Sequence, residues 1–139
     1  MNMGGKNIKI CLDTNIVAYF IEGNPTFGPK IKSFLREKKK KKDTVCVTFL
    51  TICELLVKPL QEHDDGLVDF YSGIDKNLGL NILYPNDRVA VVAARLRVMY
   101  SIATPDALNV AIAMENSCTV FLTNDRKLTK IKEIEVRML

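Results

Sequence analysis

Apolar and polar positions along the chain fall into two alternating regimes. Compact apolar runs at residues 8–12, 45–48, 80–84, 119–123 and 134–138 predict five short strands. The segments between them carry helical spacing. Residues 14–21 form a short helix stopped by Glu22-Gly23-Asn24-Pro25. Residues 28–40 predict a helix entered through Pro29, with Ile31, Phe34 and Leu35 on one side. A helix over 50–57 is expected to end at Pro59, followed by one over 60–77 that is polar and acidic on one side. Asp87 is placed to cap an amphipathic helix whose inner face is Val89, Val92, Ala93, Leu96 and Tyr100. Thr104-Pro105-Asp106 reads as a helix start, with Thr as cap, Pro first and Asp in the first turn, and the helix runs to about Asn116. Residues 125–130 make a short helical turn. Strands alternating with helices predict an α/β domain with a mainly parallel sheet, whose sites lie beyond the carboxyl ends of the strands.

Length and composition fit that picture. The 139 residues suit one domain spanning 1–139, and 47% apolar with 26% charged residues excludes disordered, collagen-like and coiled-coil chains. No apolar run is long enough to span a membrane, and the run at 8–12 is too short for a signal-peptide core. Cys11, Cys46, Cys53 and Cys118 lack CxxC spacing, and the only histidine is His63. Buried reduced thiols in an intracellular, cytoplasmic protein are expected, rather than a disulfide framework or zinc site.

The net charge of +4 is unevenly spread. Residues 30–42 hold eight lysines and arginines against Glu37 alone, so the rest of the chain is slightly acidic. The run Lys38–Lys42 is a solvated helix end or a contact for an RNA backbone, the latter sequence-independent and salt-sensitive. Arg88, Arg95 and Arg97 read as surface charges, and Tyr19 and Phe20 as packing residues rather than base-stacking ones.

Four acids stand where the fold places its sites. Asp13 ends the first strand, Asp125 follows the fourth, Glu54 lies in the helix after the second, and Asp106 opens the helix before the fourth. Glu54 sits in Thr51-Ile-Cys-Glu-Leu-Leu-Val57, where an unpartnered carboxylate is costly if buried. Several carboxylates without histidine suit a hard divalent ion, Mg²⁺ or Mn²⁺, which relieves their mutual repulsion and activates a water on a phosphodiester. The plain alternatives are a turn residue for Asp13 and Asp125, a solvated helix residue for Glu54 and a helix-dipole partner for Asp106.

Ile10-Cys-Leu-Asp13-Thr-Asn15, Thr51-Ile-Cys-Glu54-Leu-Leu, Thr104-Pro-Asp106-Ala-Leu and Leu122-Thr-Asn-Asp125-Arg-Lys-Leu resemble the PIN domain family in order and spacing, with the acids 41, 52 and 19 residues apart. The resemblance spans residues 8–138, and in size the chain is similar to the VapC-type toxins of toxin–antitoxin pairs. It implies a three-layer α/β/α sandwich with a four- to five-stranded sheet and a Mg²⁺- or Mn²⁺-dependent ribonuclease acting on single-stranded or looped RNA. It implies Asp13, Glu54, Asp106 and Asp125 as catalytic metal ligands, with Asn15 and Thr123 supporting them. An antitoxin partner and a homodimer are implied as well. The expected RNA contacts are Lys38, Lys39 and Lys40 of the basic run, with Arg126 and Lys127 beside Asp125. Toxin members often carry Gly near the end of the helix holding the third acid, where this chain has Asn116-Ser117. The competing reading is a non-catalytic PIN-like module that binds RNA or protein. A phosphatase would need Asp-x-Asp where Asp13-Thr14-Asn15 stands, and a receiver domain an acid where Tyr84-Pro85 stands.

Overall fold

In the computed structural model, which describes residues 7–139, the apolar runs pair into one sheet; the reading of the first residues as no leader segment lies outside those described. The strands are β1 (Lys9–Leu12), β2 (Thr44–Thr48), β3 (Asn81–Leu83), β4 (Val120–Thr123) and β5 (Glu135–Met138). Their order across the sheet is β3-β2-β1-β4-β5, and every pairing is parallel. Because strand side chains alternate, each strand feeds two cores. Ile10, Leu12, Val47, Val120 and Leu122 point to one face, and Cys11, Cys46 and Phe121 to the other.

Helices α1 (Thr14–Ile21), α2 (Gly28–Lys40), α3 (Phe49–Gln61), α4 (Asp65–Ser72) and α5 (Ile74–Leu78) bury Ile16, Val17, Ile31, Leu55, Tyr71 and Ile74 on the first face. Helices α6 (Val89–Tyr100) and α7 (Thr104–Glu115) cover the second with Ala93, Leu96, Val110 and Ile112, and the 3-10 turn Arg126–Lys130 adds Leu128. The expected three-layer α/β/α sandwich is thus formed. The chain steps from β1 to β3 with helices on one face, then jumps to β4 and β5 with helices on the other. Crossovers of a single hand require this switch of faces. The direction of winding reverses between β1 and β4, and that crevice opens at the carboxyl edge of the sheet.

Several boundaries differ from the sequence reading. α3 does not end at Pro59 but carries it, buried, in its last turn. There the missing N–H forfeits one helical bond, and the chain leaves the helix only at His63, in the left-handed region. The helix expected over 60–77 is two. Asp64 caps α4 by accepting from Leu67 N at 3.1 Å, and a break at Gly73 lets Tyr71 and Ile74 both reach the core. Asp87 does not cap α6; Asn86 Oδ1 accepts from Arg88 N at 2.9 Å instead. α7 starts one residue early, with Thr104 inside the helix and Ala103 before it. Ser117 takes φ +65° in the turn after α7, the conformation for which glycine is the usual choice. Cys11, Cys46 and Cys118 are buried free thiols as expected, whereas Cys53 faces outward. Arg88 and Arg97 are exposed charges as expected, and each has a partner. Arg88 pairs with Glu115 at 2.7 Å, and Arg97 Nε donates to Ile102 O at 3.2 Å across the α6–α7 turn.

Candidate metal centre

The register of the central strands sets Cys46, Cys11 and Phe121 level. Carried two residues on, it brings Thr48, Asp13 and Thr123 side by side at the carboxyl edge. Asp13 is the N-cap of α1: its Oδ1 accepts from Thr14 N at 2.8 Å and its Oδ2 from the Thr123 hydroxyl at 2.7 Å. Its own N–H donates to Leu122 O at 2.8 Å. Asn15 lies 3.5 Å from Asp13 Oδ2 through its amide nitrogen, and its Oδ1 accepts from Asn124 N at 3.3 Å. Asn15 and Thr123 therefore both bear on Asp13.

The other acids reach the same crevice from three directions. Asp125 caps the 3-10 turn, accepting from Lys127 N at 3.0 Å, and its own N–H donates to Thr123 Oγ1 at 3.0 Å. Asp106 projects from the first turn of α7 and is half-buried. Glu54 stands at the exposed rim on α3. The Thr14 and Thr51 hydroxyls, 2.8 Å apart, join α1 to α3 beneath it.

Electrostatics tie the four together. Burial lifts the Asp13 carboxyl above its ordinary range, Asp125 adds to the lift, and hydrogen bonds from Thr123, Thr14 N–H and the Asn109 side chain oppose it. Burial raises Asp106, reinforced by Asp13 and Asp125 and countered by Lys127. Burial also raises Glu54, with Asp13 and Asp106 adding to it and Thr14 opposing. Asp13, Glu54 and Asp106 are thus disfavoured as anions by their setting and by their neighbours.

Sequence reasoning passed over Asn109 as a site residue. It is 3% exposed on α7, one turn after Asp106, and its Oδ1 accepts from the Thr48 hydroxyl. A buried amide in the apolar run Ala107-Leu108-Asn109-Val110-Ala111 is the signal that marks it. Thr48 in turn caps α3, accepting from Thr51 N at 3.3 Å. A polar layer of Thr48, Asn109, Thr123 and Asn15 thus lies under the acids.

The expected RNA contacts do not share one location. Arg126 and Lys127 are exposed beside Asp125. The run Lys38–Lys42 leads into the start of β2, at the opposite edge of the sheet, about 16 Å away for a five-residue strand. Within it Lys38 is 7% exposed, 3.8 Å from Asp43 and stacked over the Phe34 ring, so it is a packing residue and not a free cation.

The donor set is oxygen only, three aspartates and a glutamate with no histidine, which suits a hard divalent cation. Among the described residues no three acids, cysteines or histidines already stand in an arrangement that holds an ion. Mg²⁺ engages one or two carboxylates directly and keeps several waters, so acids spread around a crevice remain compatible with it.

A doubly wound α/β domain with acids gathered at its switch point is the class that fold and site define. The chain belongs to the PIN domain family, whose profile matches residues 10–134. Among solved structures it is similar to VapBC-1 from nontypeable Haemophilus influenzae, at 17% identity and TM-score 0.75 over 94% of this chain and 98% of that one. It is also similar to DNA-bound VapBC from Salmonella typhimurium, at 19% identity and TM-score 0.74 over 94% and 98%. A third is a toxin–antitoxin complex from Klebsiella pneumoniae, at 19% identity and TM-score 0.63 over 90% and 94%. At such identities the likeness establishes the fold. Comparison with curated protein sequences gives no match.

Proposed function

We propose that the chain is a Mg²⁺- or Mn²⁺-dependent endoribonuclease, the toxin of a toxin–antitoxin pair, with Asp13, Glu54, Asp106 and Asp125 as its catalytic carboxylates. One observation supports this reading: Asp13, Glu54, Asp106 and Asp125 project from four separate elements around the switch-point crevice, and the carboxyls of Asp13, Glu54 and Asp106 are raised by burial and by neighbouring acids of the set. Stability alone gives no reason to gather them, because each additional anion raises the cost of the others.

In this account Asp13, fixed by Thr123 and Thr14, and Asp106, in the first turn of α7, would hold the ion, with Asp125 and Glu54 completing the set of carboxylates. A bound divalent ion supplies charge neutralisation, an activated water and stabilisation of the leaving oxygen. Lys127, close enough to lower the Asp106 carboxyl, and its neighbour Arg126 draw the RNA phosphate toward the crevice.

The family and the VapBC likeness support an antitoxin as the protein partner. The exposed apolar stripe of Val91, Val98 and Met99 on α6 supports a homodimer. Calorimetric titration with Mn²⁺ tests the reading: wild type binds, and Asp106→Asn binds at least about tenfold more weakly. Absence of Mn²⁺ and Mg²⁺ affinity in the wild type would leave a non-catalytic binding module instead.

A further inference from the structure

Far from the acids, the edge of the sheet where β2 and β3 begin carries a cleft of about 580 Å³ between α2 and α5. Lys32, Arg36 and Lys39 of α2 line one wall and Lys76 of α5 the other. The three α2 cations are four and three residues apart, so they form one stripe with successive rises of about 6 and 4.5 Å. Among the described residues none of the four makes an ion pair, although Lys41 pairs with Glu37 at 2.9 Å and Lys38 with Asp43 at 3.8 Å on the same helix end. Asp43 is the one carboxylate on the cleft wall, and the buried Lys38 offsets its charge. The floor is apolar, with Leu35 and one face of the core-packed Phe20, and the Asn77 amide at its rim is engaged, donating to Phe70 O at 3.0 Å.

Like charges gathered around a concave surface without partners repel one another, and a polyanion relieves the repulsion. We propose that this cleft is an exosite for single-stranded RNA, which binds the sugar-phosphate backbone along the α2 stripe while a base lies against Phe20. A ladder of cations one helical turn apart matches successive phosphates, and an aromatic face beside it suits a nucleobase. An acidic peptide would use the charges but not their regular spacing along one helix face. The exosite rests on the ribonuclease reading and adds to it: RNA would be held at two places, with the scissile bond at one edge of the sheet and a distal segment at the other.

The test measures RNA binding and RNA cleavage separately, on the full chain, for Lys32→Gln/Arg36→Gln/Lys39→Gln and for Lys76→Gln alone. Binding is followed with chelator present by fluorescence anisotropy of a labelled long RNA, across a salt series. Removing three phosphate contacts is expected to weaken binding about tenfold or more at low salt and to flatten the log–log salt slope by about 2. With Mn²⁺, cleavage of the long RNA should slow through KM, while cleavage of a short oligonucleotide spanning only the cut site stays as in the wild type. Unchanged long-RNA affinity in both variants, with a wild type that cleaves, overturns the exosite and leaves the ribonuclease reading standing. RNA affinity lost in the variants, with a wild type that binds but never cleaves, supports the exosite and overturns the ribonuclease reading. Loss of binding to a poly-glutamate peptide with no change toward RNA assigns the cleft to a protein partner and overturns the proposal. A wild type that neither binds nor cleaves RNA overturns both.

Discussion

The Thr123 hydroxyl donates to Oδ2 of Asp13 at 2.7 Å, so the last residue of β4 fixes the carboxylate that ends β1. That bond spans the point where the winding of the sheet reverses. It leaves Asp13 fixed in a buried position that its charge alone would not favour.

Replacing Thr123 by Val removes the donor and keeps the shape. The account expects cleavage to fall about 10–100-fold, as outer partners of ligands usually demand, with about 1–2 kcal/mol lost in stability. Thr123→Ser keeps the hydroxyl and should restore most of the activity. Steady-state cleavage and urea unfolding of both variants check this.

Asn109 contacts Thr48 and Asp13, which on the proposed reading makes it a positioning residue. Asn109→Ala leaves the buried Thr48 hydroxyl without an acceptor for its proton, for a stability cost of about 1–3 kcal/mol. It should also weaken Mn²⁺ affinity by about tenfold or more, an effect a purely structural role would not produce. Calorimetry beside chemical denaturation separates the two effects.

The raised acids fix a sign for pH dependence. Asp13, Glu54 and Asp106 hold protons more tightly folded than unfolded. Their contribution therefore falls as pH climbs from the unfolded carboxylate range through the raised folded values. In chelator, Asp106→Asn should gain thermal stability relative to wild type as pH rises through that window, and the gain should level off above it. Added Mn²⁺ should cancel it at neutral pH. Melting curves across pH, with and without Mn²⁺, provide the check, and a difference that shrinks with rising pH would contradict the assignment.

Lys38 and Lys40 are two residues apart and should behave oppositely. Lys38→Ala leaves the buried Asp43 without its cation, holding only the Ile8 N–H at 2.9 Å, and is expected to cost about 3 kcal/mol, with no separate effect on RNA. Lys40→Ala, at an exposed position, should leave stability within about 0.5 kcal/mol. Guanidinium unfolding of the pair decides.

Strand positions were legible because each strand is a short apolar run between helical segments, and the two-sided burial of Ile10-Cys11-Leu12 follows from such a run in a covered parallel sheet. Asp13 and Asp125 were legible as acids at strand ends, and Glu54 and Asp106 as carboxylates in otherwise apolar helical runs. Pro59 misled because the local rule weighs one residue, whereas packing of its buried ring keeps it in α3, and the break at Gly73 was missed because the burial of Tyr71 and Ile74 on either side of it is set by the fold. Lys38 misled because five consecutive lysines look alike in sequence, and only Phe34 and Asp43 distinguish one of them. Asn109 was passed over because its partner Thr48 lies 61 residues away.

The most direct measurement is cleavage of single-stranded RNA by wild type, Asp13→Asn and Asp106→Asn, each with Mn²⁺, Mg²⁺ or chelator. The account predicts cutting by wild type with either ion, none in chelator, and loss of at least about 100-fold in each variant. Cutting that persists in chelator, or survives both substitutions, would contradict a metal-dependent site built on these acids.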